Sequence, residues 1–319
     1  MKITPLRALG ALLQLAAIAA ALWFLVSTAR ANWGTIVLGE LKPAWGPLLL
    51  ASLITVATYL YVVWWWHISL GWWGQRLRYL DALRIFFVTN LARFIPGIVW
   101  QFAGVVAMVQ PHGVSPVAAT GAIIVQQVIL LATGLGLTVT TTPALLAPWA
   151  ASYPGWVPPL VALAGITLVA VLLPRVIPFV GRMAGWITQR QAQWPSPGSR
   201  TFGVYAGGML VVWVVYGIAF WLFGRSLLGD AAPPLMVAAP AYLAGYMAGM
   251  LAFLVPSGLL VREAALVVAL SGTVGGGRAL ALAVGARLWL LVLEILTTVG
   301  VLVVHRVRRQ GRRPSADRP

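Results

Sequence analysis

The fold of this chain is decided by two interrupted apolar stretches, which contain Arg93-Phe-Ile-Pro-Gly-Ile-Val-Trp-Gln101 and Pro256-Ser-Gly-Leu-Leu-Val-Arg-Glu-Ala-Ala265. The first stretch runs from about 82 to 109 and is cut at Pro96 and Gly97. The second runs from about 236 to 271 and is cut at Pro256, Ser257 and Gly258. Proline removes a backbone donor and glycine is a poor helix former, so a helix breaks at such points. We therefore expect a pair of short helices in each stretch.

The composition around these breaks is that of a membrane protein. Of 319 residues, 61% are hydrophobic and only 9% are charged. A soluble domain is about 45–50% apolar and about 25% charged, so a soluble globular protein is excluded. The chain has no cysteine, which excludes disulfides, thiolate-bound metal clusters and a thiol nucleophile.

The uninterrupted apolar runs are long enough to be transmembrane helices, which need about 20 residues. Six runs qualify, at roughly 8–28, 45–67, 116–141, 156–173, 203–226 and 278–304. The first is longer than the 7–15 residues of a signal-peptide core, so we expect it to stay in the protein. We predict an all-α polytopic protein that forms a single integral membrane domain over 1–319.

The net charge is +16, and the basic residues lie between and beyond the apolar runs, as the positive-inside rule describes. We therefore expect no nucleic-acid partner. Arginines cluster in 68–84, in the loop 174–202 and in the tail from 305, whereas the loop 142–155 carries no charge. The arginine-rich segments should be cytoplasmic and the uncharged loop should face outward. We predict a multi-pass protein of the cell membrane whose N- and C-termini are both cytoplasmic.

This orientation leaves no net crossing for the two interrupted stretches. The stretch 82–109 should enter the membrane from the cytoplasm and return to the cytoplasm. The stretch 236–271 should enter from the outside and return to the outside. The prediction is six spans and two re-entrant hairpins. The alternative is that both arms of each pair cross fully, which gives eight spans with the same orientation of the ends.

The two breaks also point to an internal repeat, since Pro96 and Pro256 are 160 residues apart. The same offset brings the flanking spans of one half close to those of the other. The first half is 1–155, the second is 156–304, and 305–319 is a basic cytoplasmic tail. Because each half crosses the membrane three times, the second half has the opposite orientation to the first. Broken helices at matching positions in two such inverted halves indicate a transport site near the midplane of the membrane. The alternative is that proline and glycine merely kink two helices.

Few polar residues lie within the apolar segments. Placing a charged side chain at the centre of a membrane-spanning helix costs roughly 2.5–3.5 kcal/mol of insertion free energy. We predict that a subset lines a cavity for a lipid headgroup: Arg93, Gln101, Gln127, Arg262, Glu263, Arg287 and Glu294. The alternative is structural, with Arg262–Glu294 or Glu263–Arg287 as buried ion pairs. For Gln126 we expect an interhelical hydrogen bond.

Other polar residues predict little chemistry. The three histidines form no metal-binding motif, no phosphate-binding loop is present and no nucleophile–base set is visible, so we expect no metal, no cofactor and no enzyme activity. Trp64, Trp65 and Trp66 suggest an interfacial aromatic belt. Asp81 and Arg84 are three apart and predict a surface ion pair.

The segment 93–101 resembles the Y/F-(I/L)-P-G-x-x-W-Q signature of the lysylphosphatidylglycerol synthase transmembrane family, also called flippase-like. The segment 256–265 is similar to its P-(S/G)-G-x-G-V-R-E-A signature, except that Leu260 replaces the second glycine. A glutamate common in the span after the first motif is also missing, and Gln126 and Gln127 stand there instead. No aminoacyltransferase domain follows, so the resemblance implies a stand-alone member that handles phospholipids or assists envelope glycan assembly.

Two functions follow as hypotheses. The first is a translocase that moves an anionic phospholipid or a polyprenyl-phosphate-type lipid, with membrane lipids as its partners. The second is a non-transporting scaffold for an envelope glycosyltransferase or lipid-modifying enzyme.

Overall fold

The described parts of the chain are helical and contain no strand. A computed structural model describes residues 43–91, 99–141, 198–252 and 260–310, together with Trp23, Val26, Ser27 and Arg30. We number its α-helices in chain order: α1 Trp45–Leu70, α2 Tyr79–Leu91, α3 Val99–Val109, α4 Pro116–Thr141, α5 Ser199–Leu228, α6 Leu235–Leu251, α7 Val261–Val274 and α8 Gly276–Gln310.

Four of these helices are long and apolar enough to cross a membrane: α1, α4, α5 and α8. They coincide with four of the six predicted spans, which are thereby confirmed as helices of the required length and composition. The predicted spans 8–28 and 156–173 lie outside the described residues. The loop 142–155 and the tail beyond 310 lie outside them as well.

Each interrupted stretch contributes two helices to the described residues. The first gives α2 and α3 and the second gives α6 and α7, whereas Pro96, Gly97, Pro256, Ser257 and Gly258 lie outside the described residues. Both α2 and α7 pack against the long helix α8. A single residue, Gly275 with φ +82°, joins α7 to α8 and lets the chain reverse direction there.

The most extensive helix contact joins α1 to α5. It requires glycine at position 208, because a Cβ there would lie 2.4 Å from the Trp65 ring. Two of the three tryptophans predicted to form an aromatic belt are buried inside the protein. Trp65 is 8% exposed and Trp66 is 0% exposed, and Trp66 donates from Nε1 to the carbonyl of Ala119 at 3.4 Å. Trp64, by contrast, is 42% exposed.

Helix α8 thus becomes the common support of both helix pairs. Its contacts with α7 come from its first half, and a histidine near its last turn reaches the start of α2. Of the polar residues predicted for α8, Arg287 lies in the region that contacts α7, and Glu294 lies between that region and the histidine.

Candidate functional site

The candidate site is a layer of polar side chains at the middle of α8. Arg287 and Glu294 are seven residues apart and therefore share a helix face, with a separation of about 10 Å along the axis. Glu294 is 3% exposed, and the Arg287 side chain is mostly buried. Both would be costly in a helix centre on their own, so their partners decide what the layer can do.

The last turn of α2 supplies a partner to Glu294. Asn90 donates from Nδ2 to Glu294 Oε1 across a sequence separation of 204 residues. Thr298, one turn further along α8, donates its hydroxyl to the backbone carbonyl of Glu294 at 2.7 Å. The Glu294 carboxylate is therefore held in place by an amide from α2.

The first turn of α7 supplies a partner to Arg287. Glu263 Oε1 lies 3.9 Å from Arg287 Nε, which is an ion-pair distance but too long for a direct hydrogen bond. The other oxygen of Glu263 accepts the backbone N–H of Leu260 at 2.8 Å, and this closes the N-terminus of α7. Glu263 is 6% exposed. Of the two ion pairs considered from the sequence, Glu263–Arg287 is formed and Arg262–Glu294 is not.

Arg262 has different surroundings from the other three charges. Its Cζ lies 5.0 Å from the centroid of the Tyr242 ring and 4.9 Å from that of Tyr246, so the guanidinium makes cation–π contacts with two rings of α6. Within the described ranges no carboxylate oxygen lies within 4.0 Å of it. The side chain is partly buried.

Two glycines of α6 bring α7 close enough for this contact. A Cβ at Gly249 would lie 3.0 Å from Arg262 Cβ, and one at Gly245 would lie 3.2 Å from the Arg262 carbonyl oxygen. Glycines four residues apart allow close helix approach in membranes. The sequence contains this signal in Gly245-Tyr-Met-Ala-Gly249, although the predictions above do not include it.

Leu260 precedes the site in an unusual backbone conformation. Its φ is +69°, and it is the one non-glycine residue with positive φ among the described residues. Positive φ favours glycine because a Cβ is crowded there. Position 260 is the same position at which the resembled signature has glycine, so the departure from the signature falls where glycine would suit the backbone.

The other polar residues considered from the sequence are Gln101, Gln127 and Arg93 of the predicted site, and Gln126, for which a hydrogen bond was expected. Gln101 on α3 is half-buried, and Gln127 on α4 is exposed on the described part of the molecule. Gln126 is buried and donates from Nε2 to the Val62 carbonyl of α1 at 2.8 Å, which is the interhelical hydrogen bond expected for it. Arg93 lies outside the described residues, as do both helix breaks.

A second polar cluster, not anticipated from the sequence, joins α2 to the end of α8. Asp81 is 9% exposed and its Oδ1 lies 2.9 Å from His305 Nε2, while its Oδ2 lies 3.9 Å from His112 Nδ1. The predicted surface ion pair of Asp81 with Arg84 is wrong, because the α8 histidine packs over the carboxylate instead. No local signal could have found a contact across 224 residues.

Chemically, the α8 layer can bind an anion or hold helices together. Among the described residues no group of three His, Cys, Asp or Glu side chains is placed to hold a metal ion. No protein-family model matches the chain, and no curated protein matches it significantly in sequence.

Proposed function

We propose that this chain is a lipid translocase of the cell membrane that moves an anionic phospholipid or a polyprenyl-phosphate-type lipid. The observation that carries the proposal is the polar layer on α8, where Arg287 faces Glu263 of α7 and Glu294 binds Asn90 of α2. Charges this deep in an apolar helix generally mark a substrate or ion pathway. The resemblance of 93–101 and 256–265 to the flippase-like family points the same way.

The architecture we propose is an inverted repeat of six spans with two re-entrant hairpins. It is supported by where the helix pairs touch α8. The start of α2 meets α8 at His305 and its end meets α8 at Glu294, whereas the start of α7 meets α8 at Arg287 and its end adjoins the first residue of α8. The inner ends of α2 and α7 thus approach the middle of α8 from opposite directions.

In this proposal the headgroup crosses at the layer while the acyl chains stay in lipid. The guanidinium groups of Arg262 and Arg287 take the phosphate, since arginine matches phosphate geometry with paired donors. Glu263 and Glu294 tune the local charge, or exchange a proton if transport is coupled to a proton gradient. No step of this cycle requires covalent chemistry or a cofactor, so we propose a non-enzymatic function with both termini in the cytoplasm.

Translocation in proteoliposomes tests the proposal directly. The probes are acyl-chain-labelled phosphatidylglycerol, lysyl-phosphatidylglycerol and a polyprenyl phosphate, and leaflet exchange is read by chemical quenching of the outer label. Arg287→Ala and Arg262→Ala should lose at least about tenfold of the wild-type rate, because a lost charge-assisted contact of about 1.5–3 kcal/mol corresponds to that factor or more. Arg278→Ala, an exposed residue near the outer end of α8, is the matched control.

Two outcomes would count against the proposal. Unchanged rates in both arginine variants would remove the site assignment. If folded wild-type protein transports none of the probes, with or without an imposed proton gradient, the proposal that it is a translocase is contradicted.

A scaffold for an envelope glycosyltransferase is the second candidate, and two contacts favour it. Glu263 closes the N-terminus of α7 and Asn90 ties α2 to α8, which are structural roles. A purely structural charge should lower thermal stability when its partner is truncated, by about 3–5 kcal/mol for a buried pair. Arg287→Ala would then unfold at a lower temperature, and affinity purification of wild-type protein should recover a glycosyltransferase.

A further inference from the structure

We propose that the headgroup accepted at this site carries a hydrogen-bond donor beside its phosphate, either a hydroxyl or an ammonium N–H, and that Glu263 Oε1 accepts this donor. The inference rests on the proposed function, which places the phosphate at Arg287, and it narrows the substrate class. It depends on a single atom of the polar layer. Glu263 Oε1 is buried, and no described residue donates a hydrogen bond to it.

The surroundings of Glu263 Oε1 balance its charge but leave its hydrogen bonding incomplete. Glu263 is 6% exposed, so bulk water covers almost none of the residue. Arg287 Nε lies 3.9 Å from Oε1, which is an ion-pair distance but too long for a hydrogen bond. A buried acceptor without a donor keeps the cost of its desolvation. A ligand donor that reaches this oxygen therefore adds a hydrogen bond without displacing one.

The contacts of the neighbouring groups keep Oε1 in this position. The other oxygen of Glu263 accepts the Leu260 N–H at 2.8 Å, which holds the carboxylate at the first turn of α7. The guanidinium of Arg262 lies against the Tyr242 and Tyr246 rings of α6 and hydrogen-bonds the Tyr242 side chain. Arg262 attracts the Glu263 carboxylate through its charge, but it donates no hydrogen bond to Oε1.

The short distance between Arg287 and Glu263 favours a headgroup whose donor is next to its phosphate. A phosphate held by the Arg287 guanidinium would bring its own negative charge close to the carboxylate, and the two would repel each other unless a donor lay between them. In phosphatidylglycerol the nearest hydroxyl is on the carbon beside the phosphoester carbon, and in phosphatidylethanolamine the ammonium occupies the same position. Either group can donate to Oε1 while the phosphate stays at Arg287.

Lipid-induced thermal stabilisation with two matched pairs of lipids measures this preference without requiring transport. Phosphatidylglycerol is compared with phosphatidylpropanol, which has the same net charge and the same number of headgroup carbons but no hydroxyl. Phosphatidylethanolamine is compared with phosphatidylcholine, in which methyl groups replace the N–H donors. The full-length protein in non-ionic detergent is titrated with each dioleoyl lipid, and the rise in unfolding temperature gives the midpoint mole fraction.

The donor-bearing lipid should reach its midpoint at a mole fraction at least about tenfold lower than its partner, because a hydrogen bond to a charged group contributes that factor or more. A preference in the first pair identifies a hydroxyl as the donor, and a preference in the second identifies an ammonium. Equal midpoints within both pairs would overturn the inference.

Glu263→Gln tests whether this oxygen is the acceptor. The amide oxygen can keep the Leu260 N–H, and the NH₂ group then takes the place of Oε1, so an acceptor becomes a donor. The preference should disappear in this variant, and an unchanged preference would overturn the assignment to Glu263. Asp230→Asn removes the same charge from an exposed carboxylate and should retain the preference.

Each variant is compared with its own lipid-free unfolding temperature. If Glu263→Gln fails to fold, Glu263→Asp takes its place, because aspartate keeps the charge but is shorter by one methylene and withdraws its oxygens from the ligand. The preference should then be reduced, and a preference equal to that of the wild type would overturn the assignment.

Transport measured beside binding separates this inference from the translocase. Donor-selective binding by a protein that transports none of the lipids would support the headgroup class and contradict the translocase. Transport together with equal midpoints in both pairs would support the translocase and overturn the headgroup class.

Discussion

At the scale of single residues, the conformation of Leu260 connects sequence to structure most directly. Its φ of +69° is a backbone shape that costs an L-amino acid roughly 1–2 kcal/mol, yet its N–H must point at Glu263 to close α7. The hydrogen bond and the packing of the leucine side chain against the core hold the residue in place. Backbone strain of this kind is frequent next to functional sites.

This strain predicts that glycine at position 260 gives a more stable protein than alanine, although glycine is normally the less stabilising of the two. Leu260→Ala and Leu260→Gly remove the same packing, but only glycine relieves the positive φ. The glycine variant should therefore exceed the alanine variant by about 1 kcal/mol in free energy of unfolding. Detergent-solubilised protein unfolded with a denaturing surfactant gives the comparison. An alanine variant that is the more stable of the two would contradict a strained Leu260.

At the scale of the elements, glycines decide how closely helices approach. Gly208 on α5 admits the Trp65 ring of α1, and Gly249 on α6 admits Arg262 of α7. In lipid the hydrophobic effect does not drive helices together, so the van der Waals contacts made at these close approaches stabilise their association. The position of Arg262 at the site is thus set by a glycine on a neighbouring helix.

A pair of adjacent glycines on α5 tests this packing. Gly208→Ala places a Cβ 2.4 Å from the Trp65 ring, and overpacking of this kind costs about 1–3 kcal/mol. At Gly207 no atom of the described residues lies within 4 Å of an added Cβ, so Gly207→Ala should be neutral or stabilising by up to about 1 kcal/mol through helix propensity. Thermal unfolding of the two variants should therefore shift in opposite directions. Similar shifts would show that α1 and α5 do not pack as described.

At the scale of the whole molecule, the Asp81–His305 contact fastens the first helix pair to the end of α8. The contact spans 224 residues and buries the carboxylate. Together with Asn90–Glu294 it attaches α2 to α8 at both ends. The start of α2 and the C-terminal end of α8 therefore lie on the same side of the molecule.

Loss of this contact should lower global stability. We expect His305→Ala to cost about 1.5–3 kcal/mol, since a hydrogen bond to a charged group is lost and the Asp81 carboxylate stays buried. Arg306→Ala removes an exposed neighbour on the same turn and should cost less than about 0.5 kcal/mol. Unfolding free energies of both variants provide the measurement, and equal values would contradict the contact.

The orientation of the whole molecule can be mapped with single cysteines, because the chain has none of its own. Arg78→Cys and Arg306→Cys should react with a membrane-impermeant maleimide only from the cytoplasmic side, and Asp230→Cys only from the outside. Gly97→Cys distinguishes six spans with hairpins from eight spans. A re-entrant tip should be protected from outside reagent, whereas a tip between two full spans should be labelled.

The sequence by itself determined the class of the protein and most of its helices. Apolar length placed α1, α4, α5 and α8, and proline and glycine divided the two other stretches, because these are local properties of the chain. The same local reasoning selected Glu263, Arg287 and Glu294 as costly residues that need partners.

Only the tertiary structure decided who those partners are. Asn90 reaches Glu294, two tyrosines of α6 take Arg262, and His305 covers Asp81, although the sequence reasoning paired Asp81 with its neighbour Arg84. The physical reason is distance along the chain. Helical periodicity specifies which residues share a face, but the contacts that satisfy a buried charge join helices separated by many residues, and their geometry depends on how glycines and aromatic rings let those helices meet.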